Sequence, residues 1–191
     1  MGGTVIFGLF SDKLKIPTDT NIVNLAEESF AGNKYLPTAL TIPSNISSIG
    51  SNAFKSCASL TSVDVQNPSA TIGATCFSDC VNLSRVTLPS NLTQILSYVF
   101  SKCALESITI PATVKLIDDN AFGSIKSDSF EVTFSEGINL SNLTIHERAF
   151  NNSKVKFNLP WTEAEHAAKF GSASASFGAT GATFIFKGGN N

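Results

Sequence analysis

Residues 40–60 read Leu40-Thr41-Ile42-Pro43-Ser44-Asn45-Ile46-Ser47-Ser48-Ile49-Gly50-Ser51-Asn52-Ala53-Phe54-Lys55-Ser56-Cys57-Ala58-Ser59-Leu60. Leu40 and Ile42 flank a polar Thr41, the period-two pattern of a short strand with one buried face. Pro43 ends that strand, because it has no N–H to give to a ladder. Ile49 and Phe54 stand five apart, and Leu60 follows six residues after the phenylalanine. A segment this short cannot bury such an apolar side alone, so it needs stacked copies of itself.

The copies are present on both sides. The Ile–Phe pair recurs as Leu25/Phe30, Ile49/Phe54, Ile72/Phe77, Ile95/Phe100, Ile117/Phe122 and Ile145/Phe150, always five apart. Successive phenylalanines are 24, 23, 23, 22 and 28 residues apart. The alternating dipeptide with its proline recurs at Leu14–Pro17, Val86–Pro89 and Ile108–Pro111. Val63-Asp64-Val65 and Val132-Thr133-Phe134 keep the alternation without the proline. A seventh copy, Phe157–Pro160, has no Ile–Phe pair after it. Leu36, Leu60 and Leu83 hold the position six past the phenylalanine, whereas Leu105 comes one residue early. The first and sixth coils are longer between strand and Ile, so insertions are expected at those turns. Stacking predicts a parallel sheet of seven strands, about 29 Å across at the usual strand spacing, backed by a continuous ladder of phenylalanine.

The unit resembles the BspA-type (treponemal) leucine-rich repeat, through Ile42-Pro43, Ile49-Gly50, Ala53-Phe54, Cys57 and Leu60. The likeness covers residues 14–160. It implies an α/β leucine-rich-repeat solenoid with a short parallel β-sheet and about six coils of 22–28 residues. It also implies a bacterial surface or secreted protein concerned with adhesion. The segment Pro160-Trp161 to Phe184 is similar to the closing segment of gut bacterial repeat proteins, some of them encoded in prophages.

An open solenoid needs caps at both ends. Residues 1–13, with Val5, Ile6, Phe7, Leu9 and Phe10, are expected to cover the first coil. At the other end, residues 161–191 form the second cap. Thr162 and Glu165 match a capping box, which predicts a helix from about Glu163 to Phe170, with Gly171 as its stop. Residues 171–181 read as a Gly/Ser/Ala loop and 182–186 as a last strand.

Composition narrows the functional classes. The 191 residues carry 13 basic and 15 acidic side chains without a long run of either sign, so no electrostatic footprint for nucleic acid exists. No apolar run is long enough to span a bilayer, and MGGTVIFGLF lacks the basic start of a signal peptide. The 15 phenylalanines suggest one position reused many times, and six of them are the repeat phenylalanines.

Candidate chemical sites are few. Cys57, Cys80 and Cys103 each lie three after a repeat phenylalanine, with Cys76 outside the pattern. They read as a stack of small buried thiols, the alternative being a disulfide between adjacent coils. No metal-binding Cys pattern is present. His146 takes the turn position of Gly50 and Gly73, and His166 falls in the capping helix. Neither stands in a recognisable nucleophile–base motif, so no catalytic residue, cofactor site or metal site is expected. Asp118-Asp119-Asn120 resembles the start of a calcium loop, but Phe122 stands where an oxygen is required. Gly178–Gly181 precedes no helix and is a loop, not a phosphate cradle. Asn45, Asn82, Asn91, Asn139, Asn142 and Asn151 open N-x-S/T triplets that matter only in a eukaryotic secreted protein.

The candidate binding face is the solvent side of the sheet: Lys15, Thr41, Asp64, Thr87, Thr109, Thr133 and Asn158. A second row holds Lys13, Ala39, Ser62, Arg85, Ser107, Glu131 and Lys156. Threonine also suits an exposed strand position for its own sake. The expected function is a non-catalytic binding module whose partner is a protein or cell-surface ligand, with extracellular or surface location following from the resemblance. The alternative is a structural or assembly component, a phage- or envelope-associated spacer.

Overall fold

The computed structural model describes residues 3–5, 15–19, 21–172 and 175–188. From the second coil to the sixth, each contributes two short parallel strands, on opposite sides of a buried core. The main sheet follows the h-x-h-P segments. Its first part is β3 (Ala39–Ile42), β5 (Ser62–Val65) and β7 (Arg85–Thr87). Its second part is β9 (Ser107–Ile110), β11 (Phe130–Phe134), β13 (Val155–Leu159) and β14 (Thr183–Phe186). Pairing keeps equivalent residues level: Leu40 with Val63 and Val86, and Ile108 with Val132 and Phe157.

The second sheet is a correction to the single sheet expected. It runs through the segments ending in the repeat Ile: β1 (Gly3–Val5), β2 (Ile22–Leu25), β4 (Ser48–Ile49) and β6 (Thr71–Ile72), then β8 (Gln94–Ile95), β10 (Leu116–Ile117) and β12 (Thr144–Ile145). A near-constant repeat length brings backbone beside backbone on both sides of the stack, so both can pair. The turn between the two strands starts at the proline. Ile46, Leu92 and Val114 donate their N–H to the carbonyls of Pro43, Pro89 and Pro111 at 3.0, 3.0 and 3.1 Å.

The first copy departs from expectation as well. Lys15–Pro17 lies outside any strand, although Ile16 is buried; Leu14 and Lys13 lie outside the described residues. The seventh main strand comes from β14, at the opposite end. Of the N-terminal cap residues, Val5 belongs to β1, which pairs with β2. Ile6, Phe7, Leu9 and Phe10 lie outside the described residues.

The phenylalanine ladder runs the length of the stack. Phe30, Phe54, Phe77, Phe100, Phe122 and Phe150 stack with successive centroids 5.2, 5.4, 5.8, 5.5 and 5.0 Å apart. The backbone around each phenylalanine alternates in handedness. Residues two before it (Glu28, Asn52, Thr75, Tyr98, Asn120) and two after it (Gly32, Ser56, Asp79, Lys102, Ser124, Asn152) have positive φ. This arrangement turns alternate N–H groups towards the next coil: Thr75, Phe77 and Asp79 each donate at 2.9 Å, to the carbonyls of Ser97, Val99 and Ser101.

Two further repeat positions follow from contacts between coils. A Cβ on Gly50 would lie 2.5 Å from the backbone nitrogen of Glu27, and one on Gly73 2.4 Å from that of Ser51. Glycine therefore lets neighbouring coils close up. The second sheet breaks between β6 and β8, where Leu96 follows the two coils that carry glycine. The repeat cysteines donate their thiols to the phenylalanine carbonyl of the preceding coil: Cys57 to Phe30, Cys80 to Phe54 and Cys103 to Phe77, at 3.0, 3.0 and 3.1 Å. Ser153 does the same to Phe122 at 2.7 Å. All four cysteines are free and buried.

At the C-terminus, α1 spans Glu163–Phe170. The Thr162 and Glu165 side chains each meet the other's backbone N–H, and Gly171 closes the helix in the left-handed conformation. The carbonyls of Phe177 and Gly178 receive the N–H groups of Phe150 and Asn152 at 2.9 and 3.3 Å. The closing segment thus repeats the hydrogen bonding of a further coil.

Candidate binding face

Main-sheet pairing sets the predicted face in two continuous runs. Thr41 is level with Asp64 and Asp64 with Thr87; Thr109 is level with Thr133 and Thr133 with Asn158. Thr41, Thr87 and Thr109 are exposed, and Asp64, Thr133 and Asn158 are half-buried. Lys15 is exposed but belongs to no strand, so it stands apart from the ladder. A residue missed from sequence completes the row: Ile185 of β14 is level with Asn158 and is 38% exposed. The signal for it was the Thr183–Phe186 alternation.

The second row pairs Ala39 with Ser62 and Ser62 with Arg85; beyond, Ser107, Glu131, Lys156 and Thr183 are level in turn. The C-terminal half of the face carries cross-strand side-chain contacts. In the C-terminal half Asn158 donates to Glu131 and, at 3.2 Å, to Thr133 Oγ1, while Lys156 pairs with Glu131 at 3.3 Å. Those hydrogen bonds, Asn158's first and then that of Lys156, hold the Glu131 carboxyl below its ordinary pKa. A hollow of about 480 Å³ beside β14 is bordered by Asn158, Ile185, Phe186 and the Lys187–Glu136 ion pair.

Between the halves the sheet is interrupted. No ladder joins β7 to β9, and a groove of about 570 Å³ opens there. Its walls carry Arg85 and the hydroxyls of Thr87, Ser90, Ser107, Thr109 and Ser135; Val86, Leu88, Ile108, Pro111 and Ala112 supply the apolar surface. Inward residues of β3, β5, β9, β11 and β13 are buried: Leu40 3%, Val63 2%, Ile108 3%, Val132 0% and Phe157 0% exposed. Val86, their counterpart in β7, is only partly buried.

The remaining polar residues make structural contacts. Desolvation raises the thiols of Cys57 and Cys80 to about 11 and about 12, and pushes Cys76 and Cys103 well up. His146 lies at the turn, where its Nδ1 is 3.2 Å from Asp119, which also meets Arg148 Nε at 2.9 Å. Ser97 donates to Asp118 at 2.6 Å rather than to a histidine; that bond, then the Asp119 N–H, lowers the Asp118 carboxyl. His166 is fully buried in the cap. Trp161 Nε1 donates to its Nδ1, and its Nε2 lies against the Ala175 carbonyl, each at 3.2 Å. Among the described residues no group of three His, Cys, Asp or Glu side chains is placed to hold a metal ion. No helix among them is long and apolar enough to cross a membrane.

Comparison with known proteins completes the description. No curated protein matches the chain by sequence. Among solved structures it is similar to the leucine-rich-repeat protein TpLRR of T. pallidum, at 26% identity and a TM-score of 0.54, over 72% of this chain and 67% of that one. It is also similar in fold to the pneumococcal vaccine antigen PcpA, at 19% identity and a TM-score of 0.51, over 82% of this chain and 58% of that one. The model of the BspA type leucine rich repeat region matches residues 11–131 in six copies. With the glycine, phenylalanine and cysteine positions each tied to a contact between coils, this chain belongs to the BspA type leucine-rich-repeat family.

Proposed function

We propose that the protein is a non-catalytic binding module, secreted or displayed on a bacterial surface, that holds a protein or cell-surface ligand on the outer face of its main sheet. The observation that carries this reading is the in-register run of exposed Thr41, Thr87 and Thr109 and half-buried Asp64, Thr133 and Asn158, on strands that pack their other side towards the core. A regular rigid row fixes its polar groups before a ligand arrives, which lowers the ordering cost of binding. Trp and Arg anchors are sparse there, so individual contacts are modest and repetition supplies avidity. Family membership supports the surface location.

The test is a pull-down from host-cell and matrix extracts with the native protein and a Thr41→Glu/Thr87→Glu/Thr109→Glu variant. A partner retained by the native protein and lost by the folded variant supports the adhesive face. Identical recoveries, or none, overturn it.

One observation favours a second reading, a structural spacer. β14 ends the sheet order with one edge unpaired and carries exposed Ile185 between half-buried Phe184 and Phe186. Such an edge is a template for another strand. Concentration-dependent association in light scattering, abolished by Ile185→Lys, would favour it.

A further inference from the structure

A change in coil length accompanies the groove between β7 and β9. Nine residues separate Phe77 from Val86, but only eight separate Phe100 from Ile108. The coil that leads into β9 is one residue short. At the start of the two strands the backbones still meet, with Glu106 N–H donating to the Ser84 carbonyl at 3.1 Å. Beyond that point no backbone hydrogen bond joins residues 85–88 to 107–110. Every other neighbouring pair of main strands is laddered. The sheet therefore opens like a wedge, and two strand edges face solvent inside it. Val86, half-uncovered, lies at its floor.

The charge in the groove is one-sided. Arg85 is its one charged wall residue, and its side chain has no hydrogen-bond or ion-pair partner among the described residues. Of the acids on the face, Glu131 is held by Asn158 and Lys156 and Asp64 is level with Thr87; neither forms an ion pair with Arg85. Open backbone edges recognise an extended polypeptide by strand-type hydrogen bonds. An unpaired guanidinium recognises a carboxylate. The volume of about 570 Å³ lies within the usual range for a binding cleft.

We propose that this groove is the specific contact point of the sheet face and takes an extended peptide segment bearing a carboxylate side chain. Arg85 binds the carboxylate, the hydroxyls of Thr87 and Thr109 border it, and the freed edges of β7 and β9 hold the peptide backbone. The proposal rests on the sheet face being the binding surface and locates its centre.

The experiment is a 15N–1H correlation titration of the whole protein with an alternating threonine–glutamate hexapeptide, its threonine–lysine counterpart and a uronic-acid oligosaccharide. The acidic peptide should give saturable shifts confined to amides of residues 85–90 and 107–112, and the lysine peptide none. Arg85→Glu, an exposed change, should weaken binding at least tenfold. Insertion of one glycine after Ala104 restores the common spacing; it should close the groove and remove binding while the other coils keep their spectra. Lys55→Gln, an exposed change beside Phe54 and off the sheet face, should leave affinity unchanged. Equal binding of both peptides, binding of the oligosaccharide alone, or an acidic-peptide affinity indifferent to Arg85→Glu would overturn the assignment. Should the peptide fail while the extracts still yield a partner lost in the triple variant, the groove proposal falls and the sheet-face reading stands.

Discussion

Individual residues in this repeat are chosen by what the adjacent coil presents to them. Phe77 lies between Phe54 and Phe100, fully buried and stacked on both. Phe77→Ala should therefore cost about 3–5 kcal/mol, as for other buried aromatics, read from urea melts; a loss under about 1 kcal/mol would contradict its place in the ladder. Thr75 is a β-branched residue held at φ +59°, a conformation that costs an L-residue about 1–2 kcal/mol. Thr75→Gly should thus raise the urea midpoint or leave it unchanged, whereas Gly73→Ala, whose methyl meets Ser51 backbone at 2.4 Å, should lower it. The buried thiols are held protonated by desolvation. A thiol reagent at pH 8 should label the native protein slowly and all 4 cysteines rapidly after unfolding. Fast native labelling would show that the stack is open to solvent.

Among the elements, the C-terminal cap has its own sensitivity. His166 sits among Trp161, Phe170, Phe177, Phe184 and Phe186. Its Nδ1 accepts from the Trp161 indole, so the neutral ring carries its proton on Nε2, towards Ala175. Of the charged groups of the same helix, Glu165 meets Thr162, Lys169 meets the Ser141 carbonyl and Glu163 is exposed. Desolvation lowers the His166 pKa from the usual 6.5, opposed in part by the Ala175 carbonyl. The unfolded state therefore binds more protons than the folded one as pH falls through this range. Stability from the neutral ring is complete above about 6.5 and is lost as pH falls from there towards the lower folded pKa. Protonation would also set an N–H against the indole N–H. The single Trp161 reports this directly: its fluorescence should change on acidification below pH 6.5, with faster amide exchange over 163–186, and His166→Leu should flatten the profile. An unchanged emission down to pH 4 would show that the cap tolerates the charge.

At the level of the whole molecule, stability is a sum over coils and their interfaces. The last coil depends on the closing segment, which supplies acceptors to Phe150 and Asn152 and covers Phe157 with Phe177 and Phe184. A chain cut after Pro160 should aggregate or lose helix-independent β signal in circular dichroism, whereas a cut after Lys187 should not. Two monodisperse products of equal melting temperature would show the cap to be dispensable.

Much of this architecture was legible before any coordinates. Anchors such as Ile49, Phe54 and Leu60 recur at fixed offsets because each must meet its own counterpart one coil away, and a repeated contact leaves a repeated residue. The main strands, the phenylalanine ladder and the rows of the sheet face are of this kind, and the capping box at Thr162 was legible as a local motif within one helix. The second sheet was not legible, because two-residue strands such as Ser48–Ile49 are too short to show a period; they exist through pairing with neighbouring coils. Nor was the burial of His166, which depends on aromatic residues from α1, the following loop and β14 converging on one ring. The early position of Leu105 was visible as an irregularity. Only the tertiary structure shows that β9 lies beside β7 without a ladder there, leaving an open groove beside Arg85. Sequence by itself determined what repeats and which side is buried; tertiary structure decided what happens where the repeat fails to match its neighbour.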